Sequence, residues 1–113
     1  MSDQNLILEH LRILLTTPPG ALPGLPEYGF DLSRFVFREP EPALFEEIRS
    51  TVDAAVRRWE PLAELRAVNV SERADQPGVV TIEIDFLVRR TGSRANLIYP
   101  FALAAAYPSA PQE

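Results

Sequence analysis

The chain has 113 residues, a mass of 12.6 kDa and a formal net charge of −5 at pH 7, and it contains no cysteine. A chain of this length forms one small domain, so separate catalytic and regulatory domains are excluded. The acidic charge disfavours nucleic-acid binding, and the lack of cysteine excludes disulfides and zinc–thiolate sites. The first ten residues have neither a basic region nor a long apolar run, so we expect synthesis in the cytoplasm without a signal peptide or membrane insertion.

Residues 1–16 have the spacing of an amphipathic helix, with Ser2 and Asp3 as its expected N-terminal caps. The apolar residues that recur at intervals of three and four are Ile7, Leu8, Leu11, Leu14 and Leu15. Such a one-sided stripe indicates that one face of the helix packs on the core.

A stronger helical pattern runs over residues 42–59. Pro42 suits a first helical turn, residues 46–47 are acidic near the start, and residues 57–58 are basic near the end. This charge arrangement complements the helix dipole. The apolar stripe consists of Phe45, Ile48, Val52, Ala55, Val56 and Trp59.

Residues 17–41 separate the two helices and are rich in proline and glycine, which disfavours both helix and strand. A connection this long in a compact domain is usually functional or disordered. The apolar side chains that argue for packing somewhere are Leu22, Leu25, Tyr28 and Phe30, and for the two aromatic residues the core and an interface are equally open. The stretch DLSRFVF is expected to form a short helical turn that buries Phe35, Val36 or Phe37.

Residues 62–104 show the alternation that is typical of strands, with two strands joined across ERADQPG and a third reading NLIYPFAL. The inward face of the third strand consists of Leu97, Tyr99, Phe101 and Leu103. Pro100 cannot donate a ladder hydrogen bond, so this strand is expected at a sheet edge or at a bulge.

The predicted fold class is therefore α+β. Its parts are an N-terminal helix, a long Pro/Gly loop, a central amphipathic helix and a small antiparallel three-stranded sheet with a C-terminal edge strand. They form a single domain over residues 1–113, with a flexible tail at 105–113.

The sequence Trp59-Glu60-Pro61 stands where the helical pattern stops and the alternation begins. Taken locally it is a stop signal, because a proline disfavours the α conformation at the residue before it. A wider comparison adds a second interpretation.

Several elements of the chain resemble, in the same order, the baseplate wedge family of contractile phage tails, type VI secretion systems (the subunit TssE) and extracellular contractile injection systems. Members of that family are often labelled lysozyme-like. The elements are Thr17 to Gly20, Pro26-Glu27-Tyr28-Gly29, Trp59-Glu60-Pro61 and Asn96-Leu97-Ile98-Tyr99-Pro100-Phe101. The resemblance covers nearly the whole chain. It departs at Leu62, where the family has arginine, and at Gly20-Ala21-Leu22, where the family often has Gly-Glu-Arg.

The resemblance implies a non-enzymatic structural subunit of the baseplate of a contractile injection machine, present in many copies in a symmetric particle. The implied partners are the core-bundle helices of the baseplate wedge proteins and the sheath protein, whose assembly the C-terminal β region seeds. The implied partner-binding residues are Glu60, Pro61, Tyr28, Asn96, Leu97, Tyr99, Pro100 and Phe101. Pro100 on an edge strand agrees with this, because an edge presents unpaired backbone groups that a partner strand can complete.

Glu83 and Asp85 are the candidate carboxylate pair for glycoside hydrolysis, which needs two acids flanking a sugar. The alternative interpretation is the polar face of a half-buried strand, paired with Arg89 and a neighbouring strand. No catalytic residue is predicted. A peptidoglycan-cleaving enzyme that uses one of these acids, or a free-standing adaptor domain, remain the alternative functions.

No metal site or cofactor is expected. His10 has no second ligand at metal-binding spacing and is expected at the surface. The loop glycines that fail to match a nucleotide-binding pattern are Gly20, Gly24 and Gly29. Arg89, Arg90 and Arg94 form a basic patch, interpreted as a solvated hairpin turn, with docking to an acidic partner surface as the alternative.

Overall fold

In the computed structural model, which describes residues 2–103, two helices pack against a three-stranded antiparallel sheet. The helices are α1 (Asp3–Thr16) and α2 (Pro42–Trp59), with a short 3-10 helix at Leu32–Arg34 between them. The strands are β1 (Ala63–Glu72), β2 (Val79–Val88) and β3 (Arg94–Ala102). Their order is β1-β2-β3, so the predicted α+β fold class and its C-terminal edge strand are confirmed. The tail predicted at 105–113 lies outside the described residues.

α1 begins at a side-chain cap, because the Ser2 hydroxyl accepts a hydrogen bond from the Asn5 N–H at 3.2 Å. Its buried residues are Ile7, Leu11, Leu14 and Leu15. These belong to the predicted stripe, and they pack α1 against α2, β2 and β3.

α2 packs mainly on β1. Its buried residues are Leu44, Ile48, Val52 and Val56. Phe45 and Trp59, which the sequence placed in the stripe, are half-buried at its margin, and Leu44 takes a core position instead. Within the described chain, neither α1 nor α2 combines the length and apolar composition that a membrane span needs.

β2 is the central strand, and its alternate side chains form the middle of the core. The buried residues of β2 are Val80, Ile82, Ile84, Phe86 and Val88. In β1 the pairing register shifts between Leu65 and Ala67, so Arg66 is an extra residue that forms a β-bulge. Because the bulge reverses the alternation, the inward positions change from Leu65 before it to Val68 after it. The edge position explains Pro100 in β3, and the bulge of this sheet lies in β1.

The loop over residues 17–41 contributes directly to the core. Phe30 and Phe35 are 2% and 0% exposed, and their rings stack with centroids 5.7 Å apart. Of the three expected candidates in DLSRFVF, Phe35 is therefore the buried one. Leu22 and Leu25 do not join this core, because they are 38% and 44% exposed.

Candidate functional site

α2 and β1 meet at a tight corner formed by Trp59, Glu60 and Pro61. Glu60 is the C-terminal cap of α2: its N–H still bonds to the Val56 carbonyl at 3.0 Å, but its φ of −120° and ψ of 85° are no longer helical. Pro61 favours this change, because a proline disfavours the helical conformation at the preceding residue. The chain then enters β1 at Ala63.

The Glu60 side chain turns inward from this corner, and the residue is 2% exposed. Its Oε1 lies 2.8 Å from Nδ1 of His10 on α1, and its Oε2 accepts a hydrogen bond from the Leu62 N–H at 3.1 Å. A buried carboxylate needs such partners, because burying a charge without compensation is costly. The carboxylate therefore ties α1 to the corner from inside, whereas the resemblance implies that it contacts a partner.

His10 is the residue of this corner that the sequence analysis missed. It was expected at the surface, and its side chain is 42% exposed, but it also pairs with Glu60 from a distant part of the chain. Its position offered a signal: it lies three residues after Ile7 and four before Leu14, at the border of the buried stripe. A polar side chain at such a border can reach the element on which the helix packs.

A cleft of about 210 Å³ opens beside the buried carboxylate. Its lining, which we call the corner cleft, consists of His10, Ile13, Leu14, Tyr28, Trp59 and Glu60. The rings of Tyr28 and Trp59 meet edge to face, with centroids 5.3 Å apart and an interplanar angle of 71°. Burial raises the pKa of the Tyr28 hydroxyl, and the charge of Glu60 raises it further.

The loop element Pro26-Glu27-Tyr28-Gly29 thus lies against the corner at the end of α2. Besides the ring contact, Nη2 of Arg58 lies 2.6 Å from Oε1 of Glu27, and the Arg58 guanidinium lies 4.6 Å from the centre of the Trp59 ring. The Arg58 and Glu27 side chains are more than half exposed, so their ion pair contributes little to stability. The aromatic packing is the firmer of these contacts.

Gly29 brings a third element to the same place. Its φ is 133°, and a Cβ at this position would overlap the Thr17 carbonyl oxygen. The same carbonyl accepts the Phe30 N–H at 2.9 Å. Because only glycine permits so close an approach at this φ, the element that starts at Thr17 and the element that ends at Gly29 meet at the base of the loop. Three of the four family-like elements therefore converge on one part of the molecule.

The fourth element, on β3, lies away from the corner cleft and has two faces. Leu97 and Phe101 face the core and are 4% and 7% exposed. Tyr99 also faces inward, and it lines a separate groove beside Phe30. The side chains of these three predicted site residues therefore serve the fold.

The outward residues of β3 lie on the open face of the sheet. The Ile98 side chain is 59% exposed, Pro100 is exposed, and Asn96 donates a hydrogen bond from Nδ2 to Oε2 of Glu83 at 3.0 Å. A partner that approaches this edge would meet Ile98 and Pro100 together with the outer backbone of β3.

Glu83 and Asp85 lie half-buried on the same open face, on the side of β2 opposite the core. The partner of Glu83 is Asn96, and Arg89 lies elsewhere. Of the two interpretations of Glu83 and Asp85, this arrangement favours the polar face of a half-buried strand. Among residues 2–103, no group of three or more His, Asp or Glu side chains is placed to hold a metal ion.

Leu62, which stands where the resembling family has arginine, is 37% exposed in the turn just before β1. Arg66 does not replace the missing guanidinium at the corner, because Nη1 of Arg66 lies 3.3 Å from Oε2 of Glu64 within β1. Arg89 does reach the corner: Nε of Arg89 donates to the Pro61 carbonyl at 3.1 Å, and its backbone N–H donates to the Leu62 carbonyl at 3.0 Å.

A groove of about 480 Å³ lies on this side of the corner. Its lining, which we call the Arg89 groove, consists of Asp3, Pro61, Leu62, Arg89 and Arg90. Arg90 donates to both carboxylate oxygens of Asp3, at 2.9 Å and 2.8 Å. These hydrogen bonds, together with the Asp3 charge, raise the pKa of the Arg90 guanidinium. The basic patch predicted at the β2–β3 turn is therefore partly neutralised by the start of α1.

Comparison with known proteins gives a consistent result. The family model described as baseplate wedge protein gp25 matches residues 1–93. The chain is similar to baseplate wedge protein gp25 of Enterobacteria phage T4, with 35% identity over 75 residues that cover 66% of this chain and 56% of that protein. The match thus spans little more than half the length of that relative.

Several solved structures are also similar, and two of them show the range of identity. A protein from Geobacter sulfurreducens, named as a tail lysozyme candidate, is 34% identical with a TM-score of 0.81, and the alignment covers 90% of this chain and 92% of that one. A chain of the anti-feeding prophage baseplate is 23% identical with a TM-score of 0.69, over 74% of this chain and 66% of that one. At 23% identity, the similarity to the anti-feeding prophage chain shows a shared fold only.

Proposed function

This chain belongs to the baseplate wedge protein gp25 family, and we propose that it is a non-enzymatic structural subunit of the baseplate of a contractile injection machine. It is made in the cytoplasm and is incorporated in many copies into a phage tail-like particle. The observation that carries the proposal is that three family-like elements lie together in one part of the molecule: Tyr28 and Trp59 meet in the corner cleft, and the element that starts at Thr17 meets Gly29 beside it.

The first docking surface is the corner itself, which binds helices of the wedge proteins. Tyr28, Trp59 and Pro61 supply its aromatic and apolar contacts, because large rigid side chains contribute most to protein interfaces. Glu60 contributes indirectly, because its buried carboxylate bonds to His10 on α1 and to the Leu62 N–H and so holds α1 and the turn in place. Its carboxylate has further acceptor capacity, since each oxygen has a second lone pair for a donor that enters the cleft.

The second docking surface is the outer edge of β3, through which the subunit seeds the sheath. Within the described chain this edge has no neighbouring strand, so its backbone groups are open to strand addition. Ile98 and Pro100 flank the added strand on the open face of the sheet. Because proline cannot donate, Pro100 limits unwanted pairing of this edge with other sheets.

Coexpression with the wedge and sheath proteins of the same particle tests both surfaces. Ile13→Glu places a charge in the corner cleft at a residue that is 44% exposed, and Ile98→Lys places one at the β3 edge. We expect the first variant to lose the wedge proteins in copurification and the second to lose the sheath protein. Ala54→Glu, on an exposed position of α2, is the matched control and should retain both.

These exposed sites are preferable to deletion of β3 or truncation of Glu60. Deletion of β3 removes Leu97 and Phe101 from the core, and loss of Glu60 removes a buried contact, so either change would also lower the stability of the fold. If the wild-type chain copurifies with neither wedge nor sheath proteins, the assembly role is wrong and a free-standing adaptor is favoured.

A peptidoglycan-cleaving activity is the second candidate, because one similar structure carries the name of a tail lysozyme candidate. A cell-wall turbidity assay compares wild type with Glu83→Gln. We expect neither to differ from buffer. Clearing by the wild type that the variant loses would overturn the non-enzymatic assignment.

A further inference from the structure

The Arg89 groove contains an arginine that is fixed in position but only partly used. Arg89 follows β2 directly, and its N–H bond to the Leu62 carbonyl continues the pairing of β1 with β2 by one residue. Its side chain is held as well, because Nε donates to the Pro61 carbonyl at 3.1 Å. Both the backbone and the guanidinium are therefore anchored to the helix–strand corner.

Between residues 2 and 103, the terminal nitrogens of Arg89 make no hydrogen bond and no carboxylate pairs with its charge. All but one of the other arginines in that range lie within 4.0 Å of a carboxylate oxygen. The exception is Arg94, an exposed residue on β3 that also lacks the anchoring bonds of Arg89. Arg89 thus combines a fixed guanidinium with unused donors.

The surroundings define what these donors can bind. Pro61 and the 37% exposed Leu62 form an apolar wall beside the guanidinium. Asp3, the one acidic residue of the groove, is already paired with Arg90 through both oxygens, so it does not compete for Arg89. The groove therefore offers one unpaired positive charge next to an apolar surface.

We propose that the Arg89 groove binds an aspartate or glutamate side chain of the wedge protein that docks at the corner. Nη1 and Nη2 of Arg89 donate to the two carboxylate oxygens, and the methylene groups of the acid pack on Leu62 and Pro61. Because Nε already holds the guanidinium in place, little side-chain freedom is lost on binding. A protein carboxylate fits better than a nucleic-acid phosphate, since the chain as a whole carries a net charge of −5. This inference rests on the proposed function and names the chemistry of its first partner.

Binding of purified wild-type and variant chains to the wedge proteins of the same particle, measured at low and high salt, tests the proposal. Arg89→Gln removes the charge and the paired donors. We expect it to weaken binding by roughly ten- to a hundredfold at low salt and to reduce the salt dependence of the affinity. Arg89→Lys keeps the positive charge but lacks the paired N–H donors of the guanidinium. Its affinity should therefore lie between those of the wild type and Arg89→Gln.

Arg94→Gln is the matched control, because it removes an unpaired guanidinium from the neighbouring strand without touching the groove. It should bind as the wild type does. All three variants change exposed side chains, and the Nε–Pro61 hydrogen bond that Arg89→Gln removes is itself exposed, so their thermal midpoints should stay close to the wild-type value. A charge reversal, Arg89→Glu, should be rescued by changing the contacted acid of the wedge protein to arginine.

The outcomes distinguish a failure of the Arg89 inference from a failure of the proposed function. If the wild type binds the wedge proteins and Arg89→Gln binds equally well, the Arg89 inference is wrong while the proposed function stands. An equal loss in Arg94→Gln would also overturn it, since the effect would then be a general one of charge. If the wild type does not bind the wedge proteins, the docking role of the corner fails and this inference fails with it.

Discussion

At the scale of single residues, Glu60 shows how a charged side chain can be a structural element of a corner. Its carboxylate is removed from water almost completely, and the loss of hydration is offset by the His10 imidazole and the Leu62 N–H. The three groups belong to α1, the end of α2 and the start of β1. One side chain thus fixes the relative positions of three elements beneath the corner cleft.

Glu60→Ala is expected to lower the free energy of unfolding by about 1–3 kcal/mol, because it leaves the Leu62 N–H without its acceptor and His10 without its partner. Glu60→Gln keeps one acceptor oxygen and should cost less. Urea titration followed by circular dichroism measures both. Glu64→Ala, at a side chain that is 48% exposed, is the control and should change stability by no more than about 0.5 kcal/mol. Equal stabilities of the Glu60 and Glu64 variants would contradict the structural role.

Tyr28 should titrate above its ordinary value of 10.0, because burial and then the Glu60 charge raise its pKa. A folded-state pKa above the unfolded one means that the native state holds the proton more tightly. This contribution to stability is complete below the unfolded pKa near 10 and is lost as the pH rises through the folded pKa.

Tyrosinate absorbance, taken as the difference between wild type and Tyr28→Phe, measures that titration. In Glu60→Gln the pKa of Tyr28 should move down towards 10.0 without reaching it, since burial is the larger cause. A Tyr28 pKa below 10.0 in the wild type would refute the assignment.

At the scale of elements, predictability followed the strength of the local pattern. α2 was predictable because its apolar stripe, its proline at the start and its basic residues at the end all agree. The bulge at Arg66 was not, because it arises from pairing with β2 and leaves no turn residue in the sequence. The contact of His10 with Glu60 could not be predicted either, because it depends on how α1 packs against the corner, 50 residues away in sequence.

Gly29 and Gly24 provide an element-scale test of the loop. Both have positive φ, 133° and 82°, but a Cβ at Gly29 overlaps the Thr17 carbonyl, whereas a Cβ at Gly24 meets nothing within 4 Å. Gly29→Ala should therefore destabilise the protein by about 2–4 kcal/mol. The backbone is strained at this φ, and the new Cβ clashes with backbone atoms, which cannot move aside as a side chain could. Gly24→Ala should cost about 1 kcal/mol from the positive φ alone. Thermal or urea unfolding distinguishes them, and similar losses in the two variants would show that the loop base is not held by this contact.

At the scale of the whole molecule, the sequence predicted the architecture and the apolar loop residues that could pack, but not which of them enter the core. Leu22, Leu25 and Phe30 look equivalent in the sequence, whereas only Phe30 is buried together with residues of both helices and the sheet. The family-like elements could be recognised one by one in the sequence. Their convergence at the corner could not, because it follows from the path of this loop between the helices.

Phe35→Ala is expected to destabilise the whole domain by about 3–5 kcal/mol, since the ring is fully buried and stacks on Phe30. Because the loop is part of the single core, unfolding should remain one cooperative transition in the wild type, seen equally by tryptophan fluorescence at Trp59 and by circular dichroism. Leu25→Ala, in the same loop at 44% exposure, should cost less than about 1 kcal/mol. Separate transitions by the two probes would mean that the loop folds independently of the helices and sheet.

The hydrogen bond between the Phe30 N–H and the Thr17 carbonyl also has a practical consequence. It holds the two ends of residues 18–29 close together. These residues therefore form a surface loop with adjacent ends, and the exposed tip of the loop lies around Pro23 and Gly24. Lengthening such a loop adds only a slowly growing entropy of loop closure. A peptide that carries a fluorophore, inserted between Pro23 and Gly24, should therefore leave the fold intact and mark where each copy of the subunit sits when particles are imaged.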